Sequence, residues 1–438
     1  MAHTYHTTFT VEYQQYHCEN SEKYENEKRV LEFQSSQTSN EAVCPRCKGK
    51  VIGHGIRKVR LTDIPYVPGC PTVYEIHQHR YFCKECRKTF CEDNPFKAPG
   101  LNLTKRCVTW ILELMKYKMP TACIAAFLGI SWNTVRKLEK AKMDYILKER
   151  DEELRNSTYR PYYLAVDEFA IRKGHRYATC VMDLARGDIL WVGKGRTIKD
   201  FTKFFEAFTG SDYLSEVKAV AMDMNASYNT LVHRFLPQAE IVYDRYHVQA
   251  QYGHDILGQV RLEAAKCHKE KAKEMANDKS VSTTDVKSEK QLYSQIKKAR
   301  WVLLQNHDSL SQKKAQNLNE ILETHSDLAL CYAMKEEMLQ LFQITDVDEA
   351  RDRWTKWFDA AIQSGIPPLM KFARQKYKRL DGLIAHAKFH INTGKLEGFN
   401  NKIKVAKRNA YGFRNLDFFF TYIRFLSIPH GVSAHQKF

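Results

Sequence analysis

The 438 residues exceed what one compact core holds, so two to four domains are expected, and 43% apolar with 12% aromatic residues excludes a disordered chain. With 68 Lys and Arg against 51 Asp and Glu, the net charge of +17 asks for a polyanionic partner, nucleic acid first and an anionic membrane surface second. No apolar run approaches the roughly 18 residues of a spanning helix. The start MAHTYHTTFTVEYQQYH lacks the basic and apolar blocks of a signal peptide, so a soluble cytoplasmic protein is expected. Its 12 cysteines then read as thiols or metal ligands, not disulfides.

Residues 1–40, rich in Glu, Gln, Ser and Tyr, read as a flexible lead-in. Next come Cys44-Pro-Arg-Cys47 and Cys83-Lys-Glu-Cys86. Two such knuckles can present four thiolates to one Zn²⁺, because each turns tightly enough for both sulfurs to reach the metal. Between them, VIGHGIRKVRLTDIP and PTVYEIHQHRYFC alternate like the strands of a zinc ribbon over 41–98. Cys91, His54, His77 and His79 stand near enough in sequence to substitute, but read as structural or exposed. From 99 to 155 the apolar period becomes helical. Thr121 to Leu138 reads as a helix-turn-helix: Ala125 is small where helices cross, Gly129 makes the turn and Ser131 caps the next helix. Ile124, Leu128, Ile130, Val135 and Leu138 form its core. Asn133, Thr134, Arg136 and Lys137 are left for the face of a recognition helix on DNA.

Residues 156–250 alternate strand and helix. Strands are expected at 162–167, 176–185 and 188–196, a helix at 198–208, a strand at 217–223, a helix at 226–235 and a strand at 240–244. That is the order of a ribonuclease-H-like α/β fold, in which the first and fourth strands are neighbours. Asp167 and Asp223 would then end adjacent strands, while Glu168 should point away across the pleat. Residues 251–388 carry helical spacing throughout and read as an all-helical insertion. Within it, 371–379 (KFARQKYKR) holds five basic and no acidic residues, which suits either a solvated face or a phosphate backbone. Residues 389–428 hold Glu397, with Asn401 and Lys404 on one helical side and Lys407 or Arg408 a turn beyond. The tail is 429–438.

Two Asp and a Glu can hold two divalent ions for phosphoryl transfer, and hard carboxylate oxygens suit Mg²⁺ or Mn²⁺. Asp167 would bridge both ions, with Asp223 and Glu397 each completing one shell. Water or a DNA 3′-hydroxyl would attack, so no covalent protein intermediate is needed.

From Cys44 to about Leu426 the chain resembles the DDE transposases of bacterial insertion sequences, in the branch that begins with a zinc ribbon and helix-turn-helix. The resemblance rests on CPRC and CKEC, AVDEFAIRKGHRYATCVMD, AVAMDMNASYNTLVHRFLPQAEIVYDRYHV and GKLEGFNNKIKVAKRNAYGFRN. It implies a triad of Asp167, Asp223 and Glu397, supported by Asp244, His247 and Asn401. It also implies contacts to DNA from Lys404, Lys407 and Arg408, and an enzyme that binds the terminal inverted repeats of its element, cleaves there and transfers the strands. Double-stranded DNA would be the partner, with no membrane, in the bacterial nucleoid, and at least a homodimer would hold two ends together. A DNA-binding regulator on an inactive transposase core would lack one of the acids, and all three are present; a nuclease that cuts without joining is the other alternative.

Overall fold

The computed structural model describes residues 16–35, 42–67, 70–117, 119–172, 174, 176–278, 280–410 and 412–428. No described helix is long and apolar enough to cross a membrane. The chain divides into two units, Met1–Glu149 and Arg150–Phe438; the tail at 429–438 and the first 15 residues lie outside the described residues.

The first unit opens with a sheet of β1 (Tyr16–Glu25), β2 (Lys28–Ser35), β3 (Val51–Val67), β4 (Cys70–Cys83) and β5 (Thr89–Cys91), in the order β1-β2-β4-β3 with β5 also on β4. Residues 16–35 were expected to be a flexible lead-in and are instead two strands. The short run Val30-Leu-Glu-Phe33 accounts for it: Val30 and Phe33 are buried, and Phe33 packs with Leu61, Tyr74, Ile76 and Phe96. A few apolar residues among polar ones gave too weak a period to announce the strand. After the sheet come α1 (Lys105–Lys116), α2 (Thr121–Leu128) and α3 (Trp132–Asn156). Buried Asp63 on β3 ties α1 down, accepting from Thr104 Oγ1 at 2.5 Å and from Arg106 Nε at 2.8 Å. Gly129 takes φ +61 between α2 and α3, and a Cβ there would also meet Pro71 Cγ at 2.9 Å. Ser131 Oγ accepts from Asn133 N at 3.2 Å, and Ile124, Ala125, Leu128 and Val135 are buried together.

The second unit is built on β6 (Tyr163–Arg172), β7 (Arg176–Asp183), β8 (Ile189–Lys194), β9 (Ala219–Met222) and β10 (Glu240–Tyr243), ordered β10-β9-β6-β7-β8. β6, β7 and β8 form an antiparallel meander, whereas β9 and β10 run parallel to β6. Alternation along β6 divides its side chains between two covers. Leu164 and Val166 pack beneath α4 (Ile198–Glu206) and α5 (Ala226–Phe235), through Phe201, Phe204, Tyr228 and Leu231. Ala165 and Phe169 pack beneath α15 (Gly394–Asn409) and α16 (Leu416–Ser427), through Leu396, Phe399, Ile403 and Phe419.

Between β10 and α15 every described element is helical. They are α6 (Arg245–Tyr252), a π-turn at Gly253–Leu257, α7 (Gly258–Asn277), α8 (Thr283–Lys298), α9 (Arg300–Leu304), a 3₁₀ turn at His307–Ser309, α10 (Gln312–Thr324), α11 (Ser326–Leu341), α12 (Val347–Gln363), α13 (Pro367–Tyr377) and α14 (Leu380–Lys388). Trp354, Trp357, Phe358, Leu369 and Phe372 fill the core there.

Candidate metal centre

Three parallel strands deliver acids to one edge of the second sheet. The β6–β9 register ends with Val166 opposite Met222, and the β9–β10 register with Met222 opposite Tyr243. The next residues in line are Asp167, Asp223 and Asp244, so each acid follows a buried apolar run and emerges at the same edge.

Asp167 lies on the α15 side. Its Oδ1 accepts from Glu168 N at 2.7 Å, and its Oδ2 accepts from Asn400 Nδ2 at 2.7 Å. His247 Nε2 stands 3.9 Å from Oδ1. Burial pushes the Asp167 carboxyl up to about 6; the Glu168 N–H and His247 oppose the rise, and the charges of Glu397 and Glu168 add to it. A half-buried acid with a second carboxylate in electrostatic reach is an arrangement that a cation relieves. Glu168 sits on the opposite face, accepting from Tyr228 OH at 2.8 Å and Asn225 Nδ2 at 3.2 Å, with Arg196 at 3.6 Å. Asp223 is exposed and accepts from Met224 N at 2.6 Å.

Asp244, His247 and Glu397 each offer a ligand atom within 4.8 Å of the others. Asp244, however, is already committed. It is buried, and its Oδ1 caps α6 by accepting from Tyr246 N at 2.8 Å and His247 N at 3.3 Å. Its Oδ2 accepts from Thr393 N at 2.9 Å and Thr393 Oγ1 at 2.7 Å. Burial raises its pKa, but these bonds outweigh burial and hold the carboxyl below its usual range. Thr393 starts α15, one turn before Glu397, and its Oγ1 lies 3.4 Å from Glu397 Oε1. Asp244 thus fixes both His247 and the helix that carries Glu397. With Asp167 near the same His247, the donor set of carboxylates and one imidazole fits a divalent cation such as Mg²⁺ or Mn²⁺.

The structure separates other candidates. Asn401, expected on the side of Glu397, is exposed and accepts from Lys404 Nζ at 3.2 Å, while its buried neighbour Asn400 donates to Asp167. Lys407 donates to Ala170 O at 2.7 Å, and Lys404 and Arg408 remain exposed. On α3, Asn133 and Lys137 are exposed, Thr134 is half-buried, and Arg136 stands 5.1 Å over the Trp132 ring. The basic run at 371–379 is not uniformly solvated, because Lys376 is buried. It donates to Gln251 Oε1 at 2.5 Å, a contact that nothing in the run's composition signalled.

In the first unit, the sulfurs of Cys44, Cys47, Cys83 and Cys86 lie within 4.8 Å of one another. Cys44 Sγ is 3.7 Å from Cys86 Sγ, and Cys47 Sγ is 3.4 Å from Cys83 Sγ. The two knuckles repeat one backbone pattern. Cys44 N donates to Gly49 O and Cys83 N to Lys88 O, while Lys48 and Arg87 both take positive φ, at 61° and 54°. The Cys47 backbone N–H helps hold the Cys44 thiol down at about 6. Cys47 goes up to about 12: the Gly49 N–H would lower it, but the sulfur of Cys83, burial and the other two sulfurs prevail. Four thiolates this close cannot all ionise without a cation, and a soft set of four sulfurs fits Zn²⁺.

Residues 164–423 match a family described as "Transposase", the ISL3 family. The chain is 32% identical over 417 residues to the transposase for insertion sequence element IS1001 of Bordetella parapertussis, covering 94% of this chain and 95% of that one. It is 24% identical over 257 residues to the transposase for insertion sequence element IS1557 of Mycobacterium tuberculosis, covering 58% of this chain and 57% of that one. Among solved structures, the Drosophila P element transposase strand transfer complex aligns with a TM-score of 0.30 at 12% identity, over 62% of this chain and 77% of that chain, a likeness too slight to carry an argument.

Proposed function

The chain belongs to the ISL3 family of bacterial insertion-sequence transposases, and on that premise we propose that it cuts DNA at the ends of its own element and joins those ends to target DNA. One observation carries this reading. Half-buried Asp167 stands 3.9 Å from His247 and lies in electrostatic reach of Glu397, and Asp223 directly follows Met222, the β9 partner of Val166. Asp167, Asp223 and Glu397 would hold Mg²⁺ or Mn²⁺, Asp167 as the shared ligand. Bound there, divalent ions activate a water or a DNA 3′-hydroxyl and offset charge on the leaving oxygen.

The chain's own groups prepare that site. The Glu168 N–H and Asn400 Nδ2 orient the two oxygens of Asp167. Asp244 spends its lone pairs on α6 and Thr393, which keeps it out of the metal shell and fixes Glu397 in place. The order β10-β9-β6-β7-β8 supports a ribonuclease-H-like core over 156–250 and 389–428, interrupted by a helical insertion at 251–388. Zn²⁺ on the four cysteines would stiffen a ribbon at 41–98. The pair α2 and α3, turned at Gly129, supports a helix-turn-helix over 99–155 whose Asn133, Thr134, Arg136 and Lys137 meet DNA. Lys404 and Arg408 would carry the backbone near the core. Two ends held together call for at least a dimer on DNA.

The test is a plasmid carrying the element with its flanks, incubated with the protein in Mg²⁺ and mapped for cuts. Wild type should cut at the element's ends and Asp167→Asn should bind them without cutting. Wild-type cutting by that variant would remove the triad, and cuts without joining of pre-cleaved ends would leave a nuclease.

A further inference from the structure

Behind the acidic edge, the helical segment also holds Met224, which directly follows Asp223. Every polar atom of Met224 is engaged. Its N–H donates to Asp223 Oδ1 at 2.6 Å. Its carbonyl accepts from Arg379 Nη1, and its Sδ accepts from Lys376 Nζ at 3.0 Å. Both cations come from one place, the end of α13 and its junction with α14.

Neither cation is a free surface charge. Lys376 is 5% exposed and donates also to Gln251 Oε1 on α6 at 2.5 Å. The guanidinium of Arg379 sits 5.8 Å over the Tyr243 ring, on the strand next to β9. The same helical pair grips that strand twice more. His386 Nε2 lies 2.6 Å from Tyr243 O, and Gly382 leaves no room for a Cβ, which would meet the Tyr243 ring at 2.4 Å. A thioether and one amide oxygen are weak direct partners for a buried ammonium, which also has the carboxylates of Asp223 and Asp255 in electrostatic reach.

We propose that Lys376 and Arg379 are positioning residues, through which the helical segment sets the Asp223 carboxylate by holding the Met224 backbone. This rests on the reading of Asp223 as a metal ligand. A carboxylate on a short exposed turn would otherwise sample several directions, and partners one shell behind a ligand typically change metal affinity by about 10- to 100-fold.

Mn²⁺ binding to the full, zinc-loaded chain is measured from the electron paramagnetic resonance signal of free Mn²⁺, alongside thermal melting. Arg379→Ala with Lys376→Met should raise the Mn²⁺ dissociation constant by about 10- to 100-fold while the melting temperature stays near wild type. Arg379→Lys alone, which keeps a donor for the carbonyl, should restore most of the affinity. Arg379→Gln serves if the double variant does not fold, with a smaller shift in the same direction. Unchanged Mn²⁺ affinity in the double variant or in Arg379→Gln, while Asp223→Asn weakens binding, overturns the clamp. Unchanged affinity in Asp223→Asn itself instead removes the metal-ligand reading on which the clamp depends.

Discussion

In divalent-free buffer, Asp167→Asn should make the protein more stable than wild type. The folded carboxyl is pushed from 3.8 up to about 6 by burial, helped by the charges of Glu397 and Glu168. A raised acid pKa means that its favourable contribution is complete below about pH 3.8 and is lost as pH rises through about 6. At about 1.4 kcal/mol per unit, the ionised side chain costs about 3 kcal/mol at pH 7.5. The amide avoids that cost and can still accept from the Glu168 N–H. Asn400, whose Oδ1 is buried without a partner, can turn its amide to accept from the substituted side chain. At roughly 2 °C per kcal/mol for a unit of this size, melting should rise by about 6 °C. The gain should fall to about half at pH 5, where the native carboxyl is largely protonated. Saturating Mn²⁺ should close or reverse the gap, since an ion at 100 times its dissociation constant adds about 2.7 kcal/mol to wild type alone. A variant less stable than wild type at pH 7.5, or a difference that ignores pH, would refute the reasoning.

Stripping the metal from the four-cysteine cluster with a strong zinc chelator should unfold the knuckles and lower the melting of the first unit; circular dichroism unchanged by chelation would count against a structural metal there. Thr393→Val removes the hydroxyl that bonds buried Asp244 at 2.7 Å and should cost about 1–3 kcal/mol in chemical denaturation, whereas a neutral result would mean that Asp244 does not anchor α15. Glu75 is buried on β4. Burial alone would raise its pKa, but Arg60, His77 and Lys58 hold it down at about 2. Its contribution is present above about pH 4.5 and lost as pH falls towards 2, so Glu75→Gln should flatten the acid side of the stability curve by about 1–2 kcal/mol after allowance for the exposed Arg60. An acid limb that keeps its wild-type slope would show another carboxylate to be responsible.

The elements that were legible in the sequence have strong local signals. Alternation put Asp167 and Glu168 on opposite faces, and three of the five strands of the second unit were marked by apolar runs ending in an acid, while their side-by-side order was an expectation from the ribonuclease-H-like sequence of elements. The paired CxxC spacing likewise brought four sulfurs together. What stayed hidden depends on distant partners. The contact of Asn400 with Asp167 joins residues 233 apart, which spacing around Glu397 could not announce. Strands β1 and β2 rest on Val30 and Phe33, buried by partners that come after the Cys44 knuckle in the sequence. The burial of Lys376 depends on α6, more than a hundred residues earlier, so its composition looked like that of a solvated face.

The central claim is that Asp167, Asp223 and Glu397 share a divalent cation. Crystals of the full chain soaked in Mn²⁺, with anomalous scattering recorded near the manganese edge, address it directly. The account predicts an anomalous peak within about 2–2.5 Å of carboxylate oxygens of Asp167 and at least one of Asp223 and Glu397. A peak held by Asp244 and His247 without Asp167 would contradict it.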